Sequence, residues 1–372
     1  MLKIGITGQE GFVGAHLFNT IALFPEEFER VDYDIRFFGD ESLLDEFVAK
    51  CDVIVHLAAM NRHPDPQVLY DVNVGLVKTL IGSLQRTKSK AHVMLSSSSQ
   101  EEKDNLYGKS KKLGRELLID WANAAGAPFT GLIIPNVFGP FGQPYYNSVI
   151  ATFSHQIANG ETPQIQVDGE LNLIYVGELV MEILTKIRAH KTDVAYLVPH
   201  TATAKVSELL LLLQGYKNNY QDKGEIPAIH NTFERNLFNT FRCYMDITNH
   251  FPVKYTQHTD ARGSFVEVIR LGIGGQVSFS TTVPGITRGN HYHTRKIERF
   301  AVIKGKALIQ LRRIGTHEVL DFYLDGNEPS YVDMPIWYTH NIKNIGDEVL
   351  YTNFWINEFY DPNDADTYFE EV

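Results

Sequence analysis

The stretch LKIGITGQEGFVG, Leu2 to Gly14, decides the fold of the N-terminal half. An apolar run of strand length ends in a glycine-rich turn and leads straight into an amphipathic segment. Strand, glycine turn and helix in that order make a dinucleotide-binding α/β unit. In this reading Thr7 ends the strand and Gly8 makes the tight turn. Gly11 lets the backbone approach a pyrophosphate, and Gly14 permits close packing of helix on strand. Phe12 and Val13 open the helix whose N-terminus faces the phosphates.

Outward from that turn, apolar runs alternate with helix-patterned segments as far as about residue 185. DVIVHLAA, HVMLSSSS and FTGLIIPN are expected as buried parallel strands, with SLLDEFVAK and DVNVGLVKTLIGSLQR as helices between them. SELLLLLQGYKNNY, Ser207 to Tyr220, is expected as a later helix. The residue that reads the adenosine ribose stands about 20 positions beyond the glycine turn. Asp34 occupies that place, with Arg36 two further on. A carboxylate suits the free hydroxyl of NAD and an arginine the phosphate of NADP, so the residues leave that choice open. Leu57, Ala58 and Ala59 close the next strand with residues small enough for a cofactor to lie across them.

Tyr107 and Lys111 stand four apart at the start of NLYGKSKKLGRELLIDWA and so share one helix face. A phenol, ordinarily near pKa 10, becomes a usable acid if a lysine ammonium stabilises its phenolate. Lys111 is expected to lower Tyr107 in this way and to hold a nicotinamide ribose. Ser98, on the serine-tipped strand before the helix, is expected to orient a carbonyl.

Near residue 244 the pattern changes to short strands and tight turns, IGTHE, LDGNE and NIGDE among them. That is the texture of an antiparallel jelly roll or barrel. The expected domains are therefore 1–243, a Rossmann-like doubly wound parallel sheet, and 244–372, an all-β barrel. Within the second, GITRGNHYHTRKIE places His291, His293 and Glu298 at metal-ligand spacing; the segment resembles the first half of the cupin pattern, which implies one more ligand, His340, from PIWYTHNIKN. Three imidazoles and a carboxylate suit Zn²⁺, and also Mn²⁺, Fe²⁺ or Ni²⁺. PIWYTHNIKN resembles the second half of the cupin pattern, except that Trp337 stands where that family usually carries glycine, and the departure implies an altered turn and a bulkier pocket wall.

The chain has 372 residues, 44% hydrophobic, with a net charge of −11 and only two cysteines. That balance argues against a nucleic-acid binder and against a thiolate metal site. The opening residues carry no secretory leader, and no apolar run is long enough to span a bilayer, so a cytoplasmic protein is expected.

The GxxGxxG turn, the Tyr107/Lys111 pair and the serine-tipped strand resemble those of extended short-chain dehydrogenase/reductases acting on nucleotide sugars. Asn73 in DVNV and IPNVFGP, Ile134 to Pro140, are similar to segments those enzymes place at nicotinamide and substrate. The resemblance implies cofactor contact for Asn73, Pro135 and Val137, and substrate contact for Asn136 and Asn147. Arg62 and His63, after the Ala-Ala strand end, are further substrate candidates. The C-terminal half resembles the cupins, and with DARGSFVEV their deoxysugar 3,5-epimerase branch. On motif position alone this implies substrate contact for Arg262, Gln276, Arg288 and Tyr338. Reductase followed by cupin, ending in FYDPNDADTYFEEV, resembles the bifunctional capsular polysaccharide enzymes of the CapF type over essentially the whole chain. The resemblance implies a zinc-bearing homodimer that uses NADPH and a UDP-4-keto-6-deoxy-N-acetylhexosamine. Its cupin domain would epimerise C3 and its reductase domain reduce C4, giving UDP-2-acetamido-2,6-dideoxy-L-talose toward N-acetyl-L-fucosamine. Rival readings are a nucleotide-sugar 4-epimerase or dehydratase with a structural cupin, a cupin oxygenase, and an NADP-binding regulator without turnover.

Overall fold

A computed structural model describes residues 1–261 and 263–372. The chain divides into two compact units, one of residues 1–149 and 168–206, the other of 150–167 and 207–372.

The first unit is built on β1 (Leu2–Thr7), α1 (Phe12–Ile21), β2 (Phe28–Val31), α2 (Glu41–Lys50), β3 (Val53–His56), α3 (Pro66–Arg86), β4 (His92–Ser98), α4 (Leu106–Ala125) and β5 (Phe129–Ile134). After β6 (Asn136–Phe138), helix α5 (Val149–Ala158) belongs to the other unit, and the chain returns with β7 (Glu170–Tyr175), α6 (Val176–Ala189), β8 (Asp193–Leu197) and β9 (Ala202–Lys205). Six parallel strands form one sheet in the order β2-β1-β3-β4-β5-β8. Alternate strand residues feed two cores. Ile54, Val93, Leu95 and Phe129 pack with Phe47, Leu80, Leu84 and Leu118 of α2, α3 and α4. Ile4, Val55, Met94 and Leu132 pack with Leu17 of α1 and Leu179 and Ile183 of α6. Apolar residues on both faces thus produce the three-layer doubly wound fold the sequence pattern implied. Helix starts follow local chemistry: Asp40 caps α2, Asp65 caps α3 ahead of Pro66, and Asn105 caps α4 by accepting from Gly108 N. A small sheet, β6-β7-β9, was not foreseen.

The described residues of the second unit form α5, α7 (Val206–Tyr216, from its second residue on), α8 (Thr232–Arg242), α9 (Ile247–His250) and twelve strands. These are β10 (Val253–Lys254), β11 (Gln257–Asp260), β12 (Gly263–Val266), β13 (Gln276–Thr282), β14 (Thr287–Tyr292), β15 (Glu298–Lys304), β16 (Lys306–Arg313), β17 (Val319–Asp325), β18 (Ser330–Met334), β19 (Tyr338–Asn344), β20 (Leu350–Ile356) and β21 (Tyr368–Phe369). Two antiparallel five-stranded sheets, β10-β18-β15-β20-β13 and β17-β16-β19-β14-β21, enclose one apolar core that includes Phe300, Val302, Ile309, Leu311, Val332 and Ile342. Along β16 the side chains alternate, Ala307, Ile309 and Leu311 entering that core while the residues between them are half-buried. The change to all-β texture falls just after α9, whereas packing draws earlier helices to the β region. Arg242 of α8 donates to Met334 O at 2.9 Å, Tyr220 to Asp333 at 2.7 Å, and Gln221 to Ala158 O at 2.8 Å. Among the described residues no helix is long and apolar enough to cross a membrane.

Candidate functional site

Two clusters of functional side chains form, one in each unit. The first gathers at the C-terminal ends of β1, β3, β4 and β5, where the strand order reverses direction between β1 and β3. Open α/β sheets bind ligands at such a switch point. Gly8 has φ +78°, and a Cβ on it would lie 2.9 Å from Ala58 N, so the glycine turn sits directly on the end of β3. A Cβ on Gly14 would come within 2.1 Å of Gly8 O, so the α1 start and the turn are in closer contact than any side chain allows. Thr7 Oγ1 bonds the buried His56 Nδ1 at 2.6 Å and ties the two strand ends together. Phe12 packs edge-on against His16, and Val13 packs on the core, leaving the backbone of the helix start toward the turn.

Asp34 and Arg36 both follow β2, as expected, but they hold each other. The carboxylate takes Arg36 Nε at 2.9 Å and Nη2 at 2.6 Å and caps a short 3₁₀ turn through Arg36 N at 2.8 Å. The side-chain bond from Arg36 lowers Asp34 to about 2.

Tyr107 is flanked by two partners: Ser98 hydrogen-bonds its phenol, and its hydroxyl donates to Asn61 Oδ1 at 3.3 Å. Lys111 is buried, with Nζ 5.7 Å from the Tyr107 ring centre and donating to Ser96 O at 3.0 Å. Burial lowers Lys111 from 10.5 to about 8, opposed by Glu101. The expected lowering of Tyr107 by Lys111 is corrected here. Burial raises the phenol above its usual value, and the group that opposes the rise is Ser98.

The other residues expected at this site sort by contact. Asn73 is buried; its side chain accepts from Met60 N at 2.7 Å and donates to Met60 O and Ser110 Oγ at 3.0 and 3.2 Å. It therefore braces the segment after Ala59 against α4. Arg62 donates to Tyr145 O and Tyr146 O at 3.2 and 3.0 Å, and Asn61 N donates to Tyr146 Oη at 3.1 Å. Two loops thus meet beside Tyr107, with Asn147 exposed at the end of one. His63 turns back on Asp65, with Nδ1 3.1 Å from Asp65 N, at the start of α3. Pro135 is half-buried, Val137 packs on the core, and Asn136 donates to Asn172 O at 3.2 Å. Glu101 was missed by sequence reasoning. It is buried, pairs with Arg115 at 2.6 Å and contacts Ser97. Its place among ordinary loop acids gave no signal.

The second cluster is the one expected from the histidine spacing. His291 at the end of β14, His293 just beyond it, Glu298 at the start of β15 and His340 on β19 present ligand atoms all within 4.8 Å of one another. His293 Nε2 and His340 Nε2 lie 3.2 and 3.1 Å from the same Glu298 oxygen. A register shift between Gly289 and His291 sets His291 directly beside His340, ring centres 4.5 Å apart. Burial pushes His291 down to about 4, keeping it neutral. Burial alone would raise Glu298, but His293 and His340 outweigh it and hold the carboxyl well below its usual range. His340 Nε2 is buried without hydrogen-bond geometry to any partner. An orphaned imidazole nitrogen aimed at a buried carboxylate and two further imidazoles fits a divalent cation.

Gln276 accepts from Tyr360 N at 3.3 Å, and Arg288 is tied to Thr282 Oγ1 and Thr281 O at 3.0 and 3.1 Å, so neither joins the four. Tyr338 packs on the barrel core, and burial raises its phenol to about 12. Arg262 lies outside the described residues. The expectation that Trp337 thickens the pocket wall is corrected. It adopts φ +62°, in the left-handed region that favours glycine. Its ring stacks on Tyr292 at 5.7 Å, on the strand face opposite His291 and His293, so it does not wall the pocket.

Comparison with known proteins gives the family. Residues 4–197 match the NAD dependent epimerase/dehydratase family. The chain belongs to that family. Residues 258–368 match the polysaccharide biosynthesis C-terminal domain, so this family member carries a second, β-structured module. A UDP-2-acetamido-2,6-beta-L-arabino-hexul-4-ose reductase from Pseudomonas aeruginosa is 32% identical over 99% of this chain and 98% of its own. The crystal structure of the capsular polysaccharide assembling protein CapF from Staphylococcus aureus aligns with TM-score 0.63 and 36% identity, covering 99% of this chain and 100% of that one. This is accordingly a CapF-type enzyme, a nucleotide-sugar reductase/epimerase of the extended short-chain class. RMD from Pseudomonas aeruginosa, solved with NADPH, shares the fold of the first unit, at TM-score 0.53 and 21% identity over 59% of this chain and 83% of its own.

Proposed function

We propose that the chain works on one UDP-linked 4-keto-6-deoxy-N-acetylhexosamine in two steps, C3 epimerisation at the His/Glu cluster and then C4 reduction at Tyr107. The product is UDP-2-acetamido-2,6-dideoxy-L-talose, a precursor of N-acetyl-L-fucosamine in surface polysaccharide. The order follows from the substrate: a 4-keto group acidifies the C3 proton, and reduction removes that activation.

The observation that carries the reductase half is the phenol of Tyr107 held between Ser98 and Asn61 beside a buried Lys111. A phenol raised by burial is protonated at neutral pH and serves as the acid for the ketone oxygen. Ser98 orients that oxygen, and Lys111, anchored to Ser96 O, holds the ribose side of the cofactor. NADPH bound over Gly8, Gly11 and Ala58 would supply the hydride. The exposed guanidinium of Arg36 is the group available to a 2′-phosphate, and Asp34, already neutralised by it, is a poor partner for a free hydroxyl.

In the β unit, His291, His293, Glu298 and His340 would hold Zn²⁺, which supplies Lewis-acid polarisation if a coordination position stays open. The protein is proposed to act in the cytoplasm as a homodimer. Incubating it with the UDP-4-keto sugar in deuterated water, with and without NADPH, tests the scheme. Deuterium should enter C3 without NADPH, and NADPH should be consumed only by the parent. Tyr107→Phe should keep the exchange and lose at least about a hundredfold in NADPH oxidation. Loss of both activities would refute separate sites. Exchange at C4 with retained cofactor would instead point to a 4-epimerase.

A further inference from the structure

Metal-ligating imidazoles need their other ring nitrogen fixed, because that bond sets the tautomer and the ring's direction. Two of the three histidines are fixed from within their own strands. The His291 ring bonds the backbone of Gly289, and His340 Nδ1 faces Tyr338 O at 3.3 Å. His293 is different. Its Nδ1 donates to Asp366 O at 2.5 Å, from a residue 73 positions away in the tail beyond β20. A carbonyl only accepts, so Nδ1 carries a proton, and Nε2 is the ring nitrogen turned toward Glu298, 3.2 Å away.

The tail is held there by the Asp366 side chain. Its carboxylate accepts from Thr294 N, Arg295 N and Lys296 N, each at 3.0 Å, and from Thr294 Oγ1 at 2.6 Å. Asp366 is buried and adopts φ +40°, a conformation that a non-glycine residue keeps only where its surroundings impose it. The neighbouring residues add to the hold. Lys296 Nζ donates to Ala365 O at 2.6 Å, Arg295 grips both Asp364 oxygens at 2.9 Å, and β21 pairs with β14 at His291 and Tyr292.

We infer that Asp366 is a positioning residue for metal binding. Its carboxylate clamps the 294–296 turn, and its carbonyl sets His293 with Nε2 toward the ion. The inference rests on the metal reading above and adds that the site is completed by the C-terminal tail. Nothing in the GNHYHTRKIE motif itself supplies this bond.

The test is cobalt(II) and zinc binding to the metal-stripped, folded full-length chain, followed by visible absorption of cobalt(II) and by competition against a chelator. Asp366→Ala should weaken binding about 10- to 100-fold and shift the cobalt(II) spectrum. Asp366→Asn keeps an acceptor oxygen and tolerates the left-handed backbone, so it should fall between the parent and Asp366→Ala. If both variants bind like the parent while only metal-free stability falls, the tail is a structural tie and the inference is overturned. Should the alanine variant not fold, Asp366→Asn decides alone: weaker binding supports the inference, and unchanged affinity overturns it. A parent chain that binds no ion would bring down the metal reading itself, and the role of Asp366 with it.

Discussion

Replacing Lys111 by methionine should abolish reduction and at the same time stabilise the unit that carries it. Lys111 is 6% exposed, and burial lowers it from 10.5 to about 8. Keeping that ammonium charged in the folded chain costs about 3 kcal/mol, at about 1.4 kcal/mol for each tenfold change in the proton equilibrium. The folded value lies below the unfolded one, so the folded state binds fewer protons between pH 8 and 10.5. The cost is therefore present in full below about pH 8 and disappears as pH rises through 10.5. Methionine fills the same stem volume without charge, but it leaves Ser96 O without the bond now made at 3.0 Å. That loss returns about 1 kcal/mol, leaving a net gain of about 2 kcal/mol at neutral pH. Urea midpoints of parent and variant, read by circular dichroism at pH 7 and again near pH 10, measure it. The variant should lead at pH 7, the lead should shrink or reverse at the higher pH, and NADPH oxidation should be absent throughout. A variant less stable than the parent at pH 7, or a lead that does not change with pH, would refute the reasoning.

Trp337 and Gly14 supply the remaining predictions. Trp337→Ala and Trp337→Gly both delete a ring that is 7% exposed, at about 3–5 kcal/mol. Glycine alone relieves the φ +62° backbone, so Trp337→Gly should be the more stable of the two by about 1 kcal/mol, and a reversed ranking in urea would show that the turn relaxes. Gly14→Ala would set a Cβ 2.1 Å from Gly8 O. It should weaken NADPH binding by more than about tenfold in a fluorescence titration, and unchanged affinity would mean that this turn is not the phosphate cradle.

Legibility of the fold tracked the distance over which its causes act. The glycine turn, the Tyr107 and Lys111 pair and the histidine spacing are local patterns, and the structure sets each on the element its pattern implied. Strands β1, β3, β4 and β5 were readable because residues buried on both faces leave an unbroken apolar run. Strand β8 was not readable, because its pattern, half-buried and exposed, carries no such run. The grouping of α5 with the β-rich unit was hidden for another reason. It depends on pairings such as Gln221 with Ala158, which no periodicity records.

The same division runs through the sites. Motifs named the groups that meet substrate or ion, since chemistry dictates their type and spacing. They did not name the groups that orient those. Asn73 reads as a cofactor residue by resemblance, yet both ends of its amide are spent on Met60 and Ser110. Glu101 acts on Lys111 from a loop with no distinguishing pattern. Asp366 reaches His293 from across 73 residues. Each of these is buried and bonded through geometry that only the folded chain creates, and each changes what the recognisable residue beside it can do. A tyrosine expected to be lowered by its lysine is instead raised by burial and met by a serine. The residue types of this site follow from sequence, but its proton positions follow from packing.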